Sequence, residues 1–464
     1  MMTLALAHQL LPDSKLIGDG SITFNRVHTD TRTLQAGDLF VALKGDSFDA
    51  HDFLSKAKTS GAVAALVQHG LAANRLSGLE IADSKIALGL LAKNWRTYLK
   101  SSDSHSAQKK NIPVIAVTGS NGKTTLTQMI ASILKSWQGD LSLATTGNFN
   151  NDIGVPLTLL RLRASHQCAV VELGMNHIGE IAELAAMTAP TVAVVNNAQR
   201  EHQEFMGTVE AVARENGAVI QSLSANGVAV FPADDAYTSV WRELAARHSV
   251  LTFAFENADI TATFVWEAGA WQVKVSTPEG SINYALHMAG KHNIKNSLAA
   301  VACALAAGVP TSHIQKGLQS FTAVAGRSRT VQLGAGDTAI TLVDDTYNAN
   351  PDSVIAAIDM LMDLPAPRLL ILGDMGEVGD AGPAFHAEVG AYAKARGIEQ
   401  FWTLGELCKH AGGRHFADME SLLLAASQLF ATPASVLVKG SRFMKMERVV
   451  KHLEHIYQES THAA

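Results

Sequence analysis

Cysteine is scarce: Cys168, Cys303 and Cys408 are the only three in 464 residues, and they lie far apart. An odd, scattered set excludes both a disulfide framework and a paired-cysteine metal site; buried free thiols in a reducing compartment are expected. Charge is also sparse, with 17% charged residues against 47% hydrophobic ones. That balance excludes a disordered or tail-bearing chain. A basic excess is missing, since 37 Lys and Arg face 43 Asp and Glu for a net charge of −6. Binding a polyphosphate backbone leaves a basic footprint, so no nucleic-acid partner is expected and any phosphate must be held by a local site. Long apolar runs are absent too: the longest helical one, Leu298 to Pro310, is too short to span a bilayer, and Met1 to Lys15 lacks a basic start. The reading is a cytoplasmic protein without membrane insertion. No internal repeat is present.

What is there is enough apolar sequence for several cores. A chain of this length divides into roughly three domains. The polar tract 100–111 (KSSDSHSAQKKN) breaks the apolar periodicity and reads as a loop or linker near the start of a second folding unit. Beyond it, Val114 to Thr118, Ala169 to Leu173, Val192 to Val195 and Val228 to Phe231 are short β-branched runs of the kind buried on both faces of a parallel sheet. Helical patterns alternate with them, which predicts an α/β domain. A helix-like stretch from Asn296 to Ala307 precedes a second series of strands, Ile340 to Val343, Leu369 to Leu372, Phe401 to Leu404 and Val436 to Val438. A smaller N-terminal α/β unit has Asp38 to Leu43 as its clearest strand. The expected division is 1–85, 86–324 and 325–464.

The strongest local signal is VIAVTGSNGKTT, Val114 to Thr125, in which an apolar strand runs through Gly119, Ser120, Asn121, Gly122, Lys123, Thr124 and Thr125 into a helical pattern starting near Leu126. This is a phosphate-binding loop in a strand-loop-helix setting. Glycines let backbone N–H groups approach phosphate oxygens, the helix N-terminus adds positive potential, Lys123 reaches the terminal phosphates and the Thr124 hydroxyl can hold Mg²⁺. Only two residues separate Gly119 from Gly122, and Val117 stands where the common pattern has its first glycine.

Two further strand ends carry polar groups. Glu172 closes AVVELGM, and His202 follows VAVVNNAQ. Carboxyl ends of parallel strands converge on the ligand site, so both can face the phosphates and, with Thr124, form an oxygen- and imidazole-lined Mg²⁺ environment. Taken singly, a strand-end glutamate also serves as a surface or capping group, and a lone histidine as a satisfied structural one. Side-chain amides are dense at Asn148, Asn150 and Asn151, around Lys291-His292-Asn293 with Asn296, and in DDTYNANPDS from Asp344 to Ser353. Such density builds turns and helix caps or recognises a polar ligand.

TGSNGKTT, TDTRTLQAGDLFVALKGDSFDAHDF, GNFNNDIGVPLTLL, ELGMNHIGEI, GKHNIKNSLAA, DDTYNANPDS, LGDMGEVG and LVKGSRFMKMERVV together resemble the Mur ligase family over nearly the whole chain. The resemblance implies three domains: one holding a UDP-sugar substrate, a central P-loop ATPase domain and a C-terminal Rossmann-like domain that closes over ATP. It implies an ATP-dependent ligase that adds D-alanyl-D-alanine to UDP-N-acetylmuramoyl-tripeptide through an acyl phosphate, acting as a monomer. Another ligase of the same logic, such as a folylpolyglutamate synthase, or a P-loop module that is not a ligase, are the alternatives. Carried over by residue, Gly119 to Thr125 would cradle ATP, with Glu172 and His202 on magnesium. Asn293 would lie beside the adenine, Arg327 by the phosphates and Asp345 near the ribose, with Asn296 also among the ATP-binding residues. Asp30, Thr31, Arg32, Lys44 and Asp49, with Asn148, Asn150 and Asn151, match substrate motifs; Tyr347, Asn348, Asn350, Ser353, Lys439 and Ser441 belong to the C-terminal side of the cleft.

One departure stands out. Many members of the family carry a carbamate-modified lysine 14 residues after the histidine, where this chain has Asn216, and no lysine occurs between Lys135 and Lys274. The expectation is that a water held by Asn216 completes the magnesium shell, or that Glu215 beside it compensates.

Overall fold

The computed structural model describes residues 1–45, 47–101, 112–267, 269–334, 339–429 and 433–462. The chain is α/β and forms three sheet-based domains in succession, as the alternation of apolar runs and helical patterns predicts.

The main sheet of the first domain has five strands in the order Lys15–Ile17, Gly78–Glu80, Ala62–Val67, Asp38–Val41, Arg26–His28, beside a two-stranded sheet of Met2–Thr3 and Thr23–Phe24. Neighbours in the main sheet run parallel except for the pair formed by Lys15–Ile17 and Gly78–Glu80. Asp38–Val41 is wholly buried and ends short of the expected Leu43, because the chain there turns into an isolated bridge between Lys44 and Asp49. The helix Ser84–Ser101 then leads to the second domain. Its apolar stripe of Ala87, Leu88, Leu91 and Trp95 is buried in a core that both domains share, and Trp95 Nε1 donates to Leu162 O at 3.1 Å. Beyond residue 101, the polar tract read as a linker lies outside the described residues.

Six parallel strands make the central sheet, in the order Ser249–Phe253, Val228–Pro232, Val192–Val195, Val114–Thr118, Cys168–Glu172, Ser142–Ala144. The β-branched runs are buried throughout, which fits a sheet covered by helices on both faces. Sequence order reverses at Val114–Thr118. Loops leaving its carboxyl end and those of its two neighbours therefore diverge, and they open a crevice at the switch point.

A three-stranded antiparallel meander, Thr261–Glu267, Ala270–Thr277 and Gly280–Leu286, is not among the expected strands. Its period-two signature is present: Trp271, Val273 and Val275 point inward while Gln272, Lys274 and Ser276 are exposed. It joins the helices Lys123–Gln138, Lys291–Ala306 and Thr311–Gln319 in one core. The middle helix begins earlier than the expected Asn296, after Gly290 with φ +88°. Asn293 and Asn296 thus lie on the helix itself.

In the last domain the order is Arg329–Leu333, Ile340–Asp345, Ser435–Lys439, Arg368–Gly373, Gln400–Leu404, Arg414–Phe416, parallel except for the first, edge strand. All three cysteines are free and buried, and burial pushes the Cys168 thiol up to about 12. Among the described residues no helix is long and apolar enough to cross a membrane.

Candidate active site

The phosphate loop sits at the reversal of the central sheet, on one wall of a cleft of about 930 Å³ whose other wall comes from the C-terminal domain. Gly119 and Gly122 have φ of +128° and +80°. A Cβ would meet Asn196 N at 2.9 Å in the first and Asn296 Oδ1 at 2.6 Å in the second, so glycine is needed at both for conformation and for space. The segment after Val192–Val195 pins the loop: Asn121 N donates to Asn197 Oδ1 at 2.8 Å, Asn196 Nδ2 to Asn121 O at 2.8 Å, and Gln199 N to Ser120 Oγ at 2.9 Å. Lys123 opens the following helix. Its ammonium folds back on Gly119 O at 2.6 Å and Ser120 O at 3.1 Å, and also meets the Glu201 carboxylate.

Thr124 and Glu172 come together as expected, Thr124 Oγ1 donating to Glu172 Oε1 at 2.9 Å. Asn150 Nδ2 donates to the same oxygen at 2.9 Å. Glu172 is 1% exposed and its Oε2 is buried without a hydrogen-bond partner. An uncompensated anionic oxygen in a buried site is unfavourable unless a cation reaches it. With the threonine hydroxyl beside it, this donor set fits Mg²⁺, a hard cation that takes oxygen ligands. Of the other amides, Asn151 Oδ1 accepts from Gly154 N at 2.9 Å and starts the helix Gly154–Leu159, whereas Asn148 is exposed on the cleft wall.

His202, at φ +48°, has Nδ1 2.7 Å from Glu377 Oε2 of the C-terminal domain, in an off-axis contact, and Nε2 3.6 Å from Glu201 Oε1. The His202 ring beside it holds the Glu377 carboxyl below its ordinary value despite burial.

From the opposite wall, Arg327 lies over the Tyr347 ring at 3.9 Å to its centroid. Lys439 Nζ donates to Asp345 Oδ2 at 2.6 Å and to Asn348 O at 2.9 Å. Burial pushes the Asp345 carboxyl up, but the Lys439 ammonium beside it outweighs this and holds it below its ordinary value. Burial lowers His292, which also lines the cleft. Asn293 Oδ1 accepts from Asn296 Nδ2 at 3.2 Å, and Asn296 Oδ1 from Asn196 Nδ2 at 2.8 Å, so this amide chain backs onto the phosphate loop. Asn350 and Ser353 form a capping box at the start of the helix Pro351–Met362. Ser441 is buried just outside the cleft lining, donating to Ala349 O and accepting from Gly376 N.

The N-terminal candidates are not brought to this cleft. Asp30 and Arg32 pair at 2.7 Å, which lowers the Asp30 carboxyl to about 2. Asp49 accepts from His51 N at 3.0 Å and faces Lys44 across the bridge. Both pairs lie on the first domain and neither lines the cleft.

Asn216 and Glu215 do not take up the roles expected of them. Asn216 is 1% exposed; its Oδ1 accepts from Thr118 Oγ1 at 2.5 Å and Gly119 N at 3.0 Å, and its Nδ2 donates to Val212 O at 3.1 Å. Glu215 accepts from Gly179 N at 2.9 Å and Ile181 N at 2.8 Å. The first holds the root of the phosphate loop and the second binds the start of the helix Glu180–Thr188, and neither lines the cleft. Sequence reasoning also passes over Glu201, Gln199, Asn196, Glu377 and Arg200. Arg200 NH2 lies 2.6 Å from Asp352 and NH1 2.8 Å from Glu388, across the domain boundary. The signal for all of these but Glu377 was the polar run NNAQREH at a strand end.

Fold and cleft define a P-loop nucleotide-binding protein in which a second α/β domain completes the site. The family model described as Mur ligase middle domain matches residues 117–304, and that described as Mur ligase, glutamate ligase domain matches 326–442. The chain is 40% identical over 443 residues to UDP-N-acetylmuramoyl-tripeptide--D-alanyl-D-alanine ligase of Escherichia coli (strain K12), covering 93% of this chain and 94% of that one. The protein of the same name from Haemophilus influenzae is 37% identical, with 98% of each chain covered. Among solved structures, MurF from Acinetobacter baumannii superposes with a TM-score of 0.88 at 34% identity over 98% of each chain. The MurF ligase from Thermotoga maritima in complex with ADP gives 0.80 at 24% over 96% of this chain and 100% of that one, a likeness of fold. The chain belongs to the Mur ligase family.

Proposed function

We propose that the chain joins D-alanyl-D-alanine to UDP-N-acetylmuramoyl-tripeptide at the expense of ATP, releasing ADP and phosphate, in peptidoglycan precursor synthesis. The observation that carries this is the cleft itself: a phosphate loop with Lys123, Thr124 and Glu172 faces Arg327, Asp345 and Lys439 of a second domain, in a chain alike over nearly its full length to ligases of that name.

A carboxylate is a poor electrophile. Its oxygen attacks the γ-phosphorus of ATP as the bond to ADP breaks, and the acyl phosphate formed is open to the amine of D-alanyl-D-alanine. That amine bonds to the acyl carbon, loses a proton and expels phosphate. Catalysis is then mostly positioning and charge neutralisation. Lys123 leaves Glu201 and the loop carbonyls to meet the terminal phosphates. Backbone N–H groups of Gly119 to Thr125 cradle them, and Arg327, held on Tyr347, approaches from the closing domain. Thr124, Glu172 and His202 would hold Mg²⁺, which would supply neutralisation of phosphate charge. Asn293 and Asn296 flank the base and Asp345 the ribose. Asp30, Thr31, Arg32, Lys44 and Asp49 hold the UDP-sugar end. Asn148, Asn150, Asn151, Tyr347, Asn348, Asn350, Ser353, Lys439 and Ser441 shape or line the path of the peptide.

This reading divides the chain into a substrate domain over 1–85, an ATP domain over 86–324 and a closing domain over 325–464, supported by one main sheet in each span. It places the enzyme in the cytoplasm as a monomer. A coupled assay of ADP release, omitting each substrate in turn, tests it: turnover should need ATP, muramoyl tripeptide and D-alanyl-D-alanine together. Turnover with folate and glutamate instead, or without any amine acceptor, would refute it.

A further inference from the structure

In the last domain, Ile340–Asp345, Ser435–Lys439 and Arg368–Gly373 are adjacent parallel strands, and the loops leaving their carboxyl ends come together where sheets of this kind bind ligands. These loops supply Tyr347, then Arg442 and Phe443, then Gly376. Ser441 fastens them to one another, its hydroxyl accepting from Gly376 N at 2.7 Å and donating to Ala349 O at 3.2 Å. Tyr347 and Gly376 line the cleft. Arg442 lies over the Tyr347 ring at 5.8 Å to its centroid, and the same ring carries Arg327 at 3.9 Å. Phe443 packs so closely on Gly376 that a Cβ there would meet the phenyl ring at 2.9 Å, yet it is 62% exposed.

Charge decides what this corner can take. Of the cationic side chains that line the cleft, Lys123 meets Glu201, Arg200 meets Asp352 and Glu388, Lys295 meets Asp234 at 2.6 Å and Lys439 meets Asp345. Arg327 is given to the phosphates in the function proposed above. Arg442 differs from all of these: its one ion pair among the described residues is a 3.9 Å approach of its guanidinium to Glu447, and its side chain is 69% exposed. So long and exposed a pair holds the guanidinium weakly. Its planar fork of donors therefore remains open to a carboxylate, with an apolar wall beside it in Phe443.

The acceptor dipeptide has the matching shape. Its amine must stand at the acyl phosphate, which places its carboxylate at the end turned away from the phosphates that repel it. An extended dipeptide spans roughly 7 Å, a reach of about one aromatic ring and its margins. We infer that Arg442 binds the terminal carboxylate of the D-alanyl-D-alanine acceptor, with Tyr347 and Phe443 walling the terminal methyl group; this rests on the ligase function proposed above. Arg442 takes no part in bond making, so its loss acts on KM for the dipeptide.

The test is ADP release by the full chain with D-alanyl-D-alanine or with D-alanyl-D-alaninamide, whose carboxylate is blocked, the thermal midpoint being measured alongside. Wild type should have a KM for the amide at least about tenfold above that for the acid. Arg442→Gln should raise KM for the acid by at least about tenfold while KM for the amide, KM for ATP and the midpoint stay near wild type, so that the preference collapses. Arg442→Lys should restore only part of it, because an ammonium makes no bidentate contact. Glu447→Gln breaks the ion pair and keeps the guanidinium, so the preference should persist. If Arg442→Gln keeps the wild-type preference, if Glu447→Gln loses it as well, or if wild type uses acid and amide with equal KM, the inference is overturned while the ligase reading stands. Failure of wild type to turn over with either dipeptide overturns that reading itself.

Discussion

Asn350 donates its side-chain amide to Asn121 Oδ1 at 2.9 Å, and Asn121 donates back to Asn350 Oδ1 at 3.3 Å. Because Asn350 Oδ1 also accepts from Ser353 N, one residue starts a helix of the closing domain and touches the phosphate loop of the central one. Asn350→Ser keeps a capping oxygen but not the reach. It should leave the thermal midpoint near wild type and raise KM for ATP several-fold. Asn350→Ala should show the same KM effect and in addition lose about 1 kcal/mol of stability with the cap. Unchanged kinetics in the serine variant would sink the link between cap and loop.

Lys123→Ala should lower kcat by at least about 10³, because the ammonium offsets phosphoryl charge in the transition state. Lys123 belongs to no apolar core cluster, so circular dichroism should keep its wild-type form, while the thermal midpoint falls as Glu201 loses its partner. Retention of more than a tenth of the wild-type turnover at saturating ATP would remove the phosphate loop from the mechanism.

Arg200 ties the domains together through a forked guanidinium on Asp352 and Glu388, resting over Phe385 at 5.3 Å. Small-angle scattering of wild type should show compaction on adding an ATP analogue and muramoyl tripeptide. Arg200→Ala should compact less, and Arg200→Lys should not rescue it, since an ammonium cannot make the bidentate contacts. Equal compaction in all three would place the closing force elsewhere.

The phosphate loop was legible because its chemistry is local: Gly119, Gly122 and Lys123 act through conformations and charges written in consecutive residues. Strands such as Val192–Val195 were legible for a similar reason, since burial on both faces demands an unbroken apolar run. Glu201 was not. It meets Lys123 from 78 positions away, and no spacing rule announces that. Arg200 and Asp352 are 152 positions apart, so only tertiary structure pairs them. Asn216 shows the reverse case. Its position was conspicuous by resemblance, yet packing gave its amide to Thr118 and Gly119.

Burial holds His386 below its ordinary value near 6.5; the ring is neutral, Nε2 accepting from Met375 N at 3.0 Å and Nδ1 donating to Gly382 O at 2.7 Å. Asp374 and His410 are the charged groups that face it, the first raising and the second lowering its affinity for protons. A base with a depressed folded pKa takes up fewer protons folded than unfolded. Stability is therefore full above about 6.5 and falls as pH drops from there toward the folded pKa. The thermal midpoint should decline between pH 7.5 and 5.5, and His386→Gln, though less stable at pH 7.5, should decline less steeply. Parallel slopes would show that another group governs the acid limb.

Bicarbonate should have no effect on turnover. A carbamate needs a lysine amine, none lies between Lys135 and Lys274, and the Asn216 carboxamide is tied to Thr118, Gly119 and Val212. Assays in stripped buffer, before and after restoring bicarbonate, should agree; a several-fold rise on restoration would reveal a modification at some other amine that matters for catalysis.

The tight fit between Gly122 and Asn296 has a consequence for how this sequence can drift. A methyl group on residue 122 would sit 2.6 Å from Asn296 Oδ1 and 2.8 Å from Asn196 Nδ2. No single exchange at any of the three positions is neutral, because shortening either asparagine breaks the amide chain from Asn196 through Asn296 to Asn293. Loop and helix are thereby locked into joint inheritance: a lineage could leave this solution only by changing at least two of these residues together, through intermediates that hold the loop less firmly.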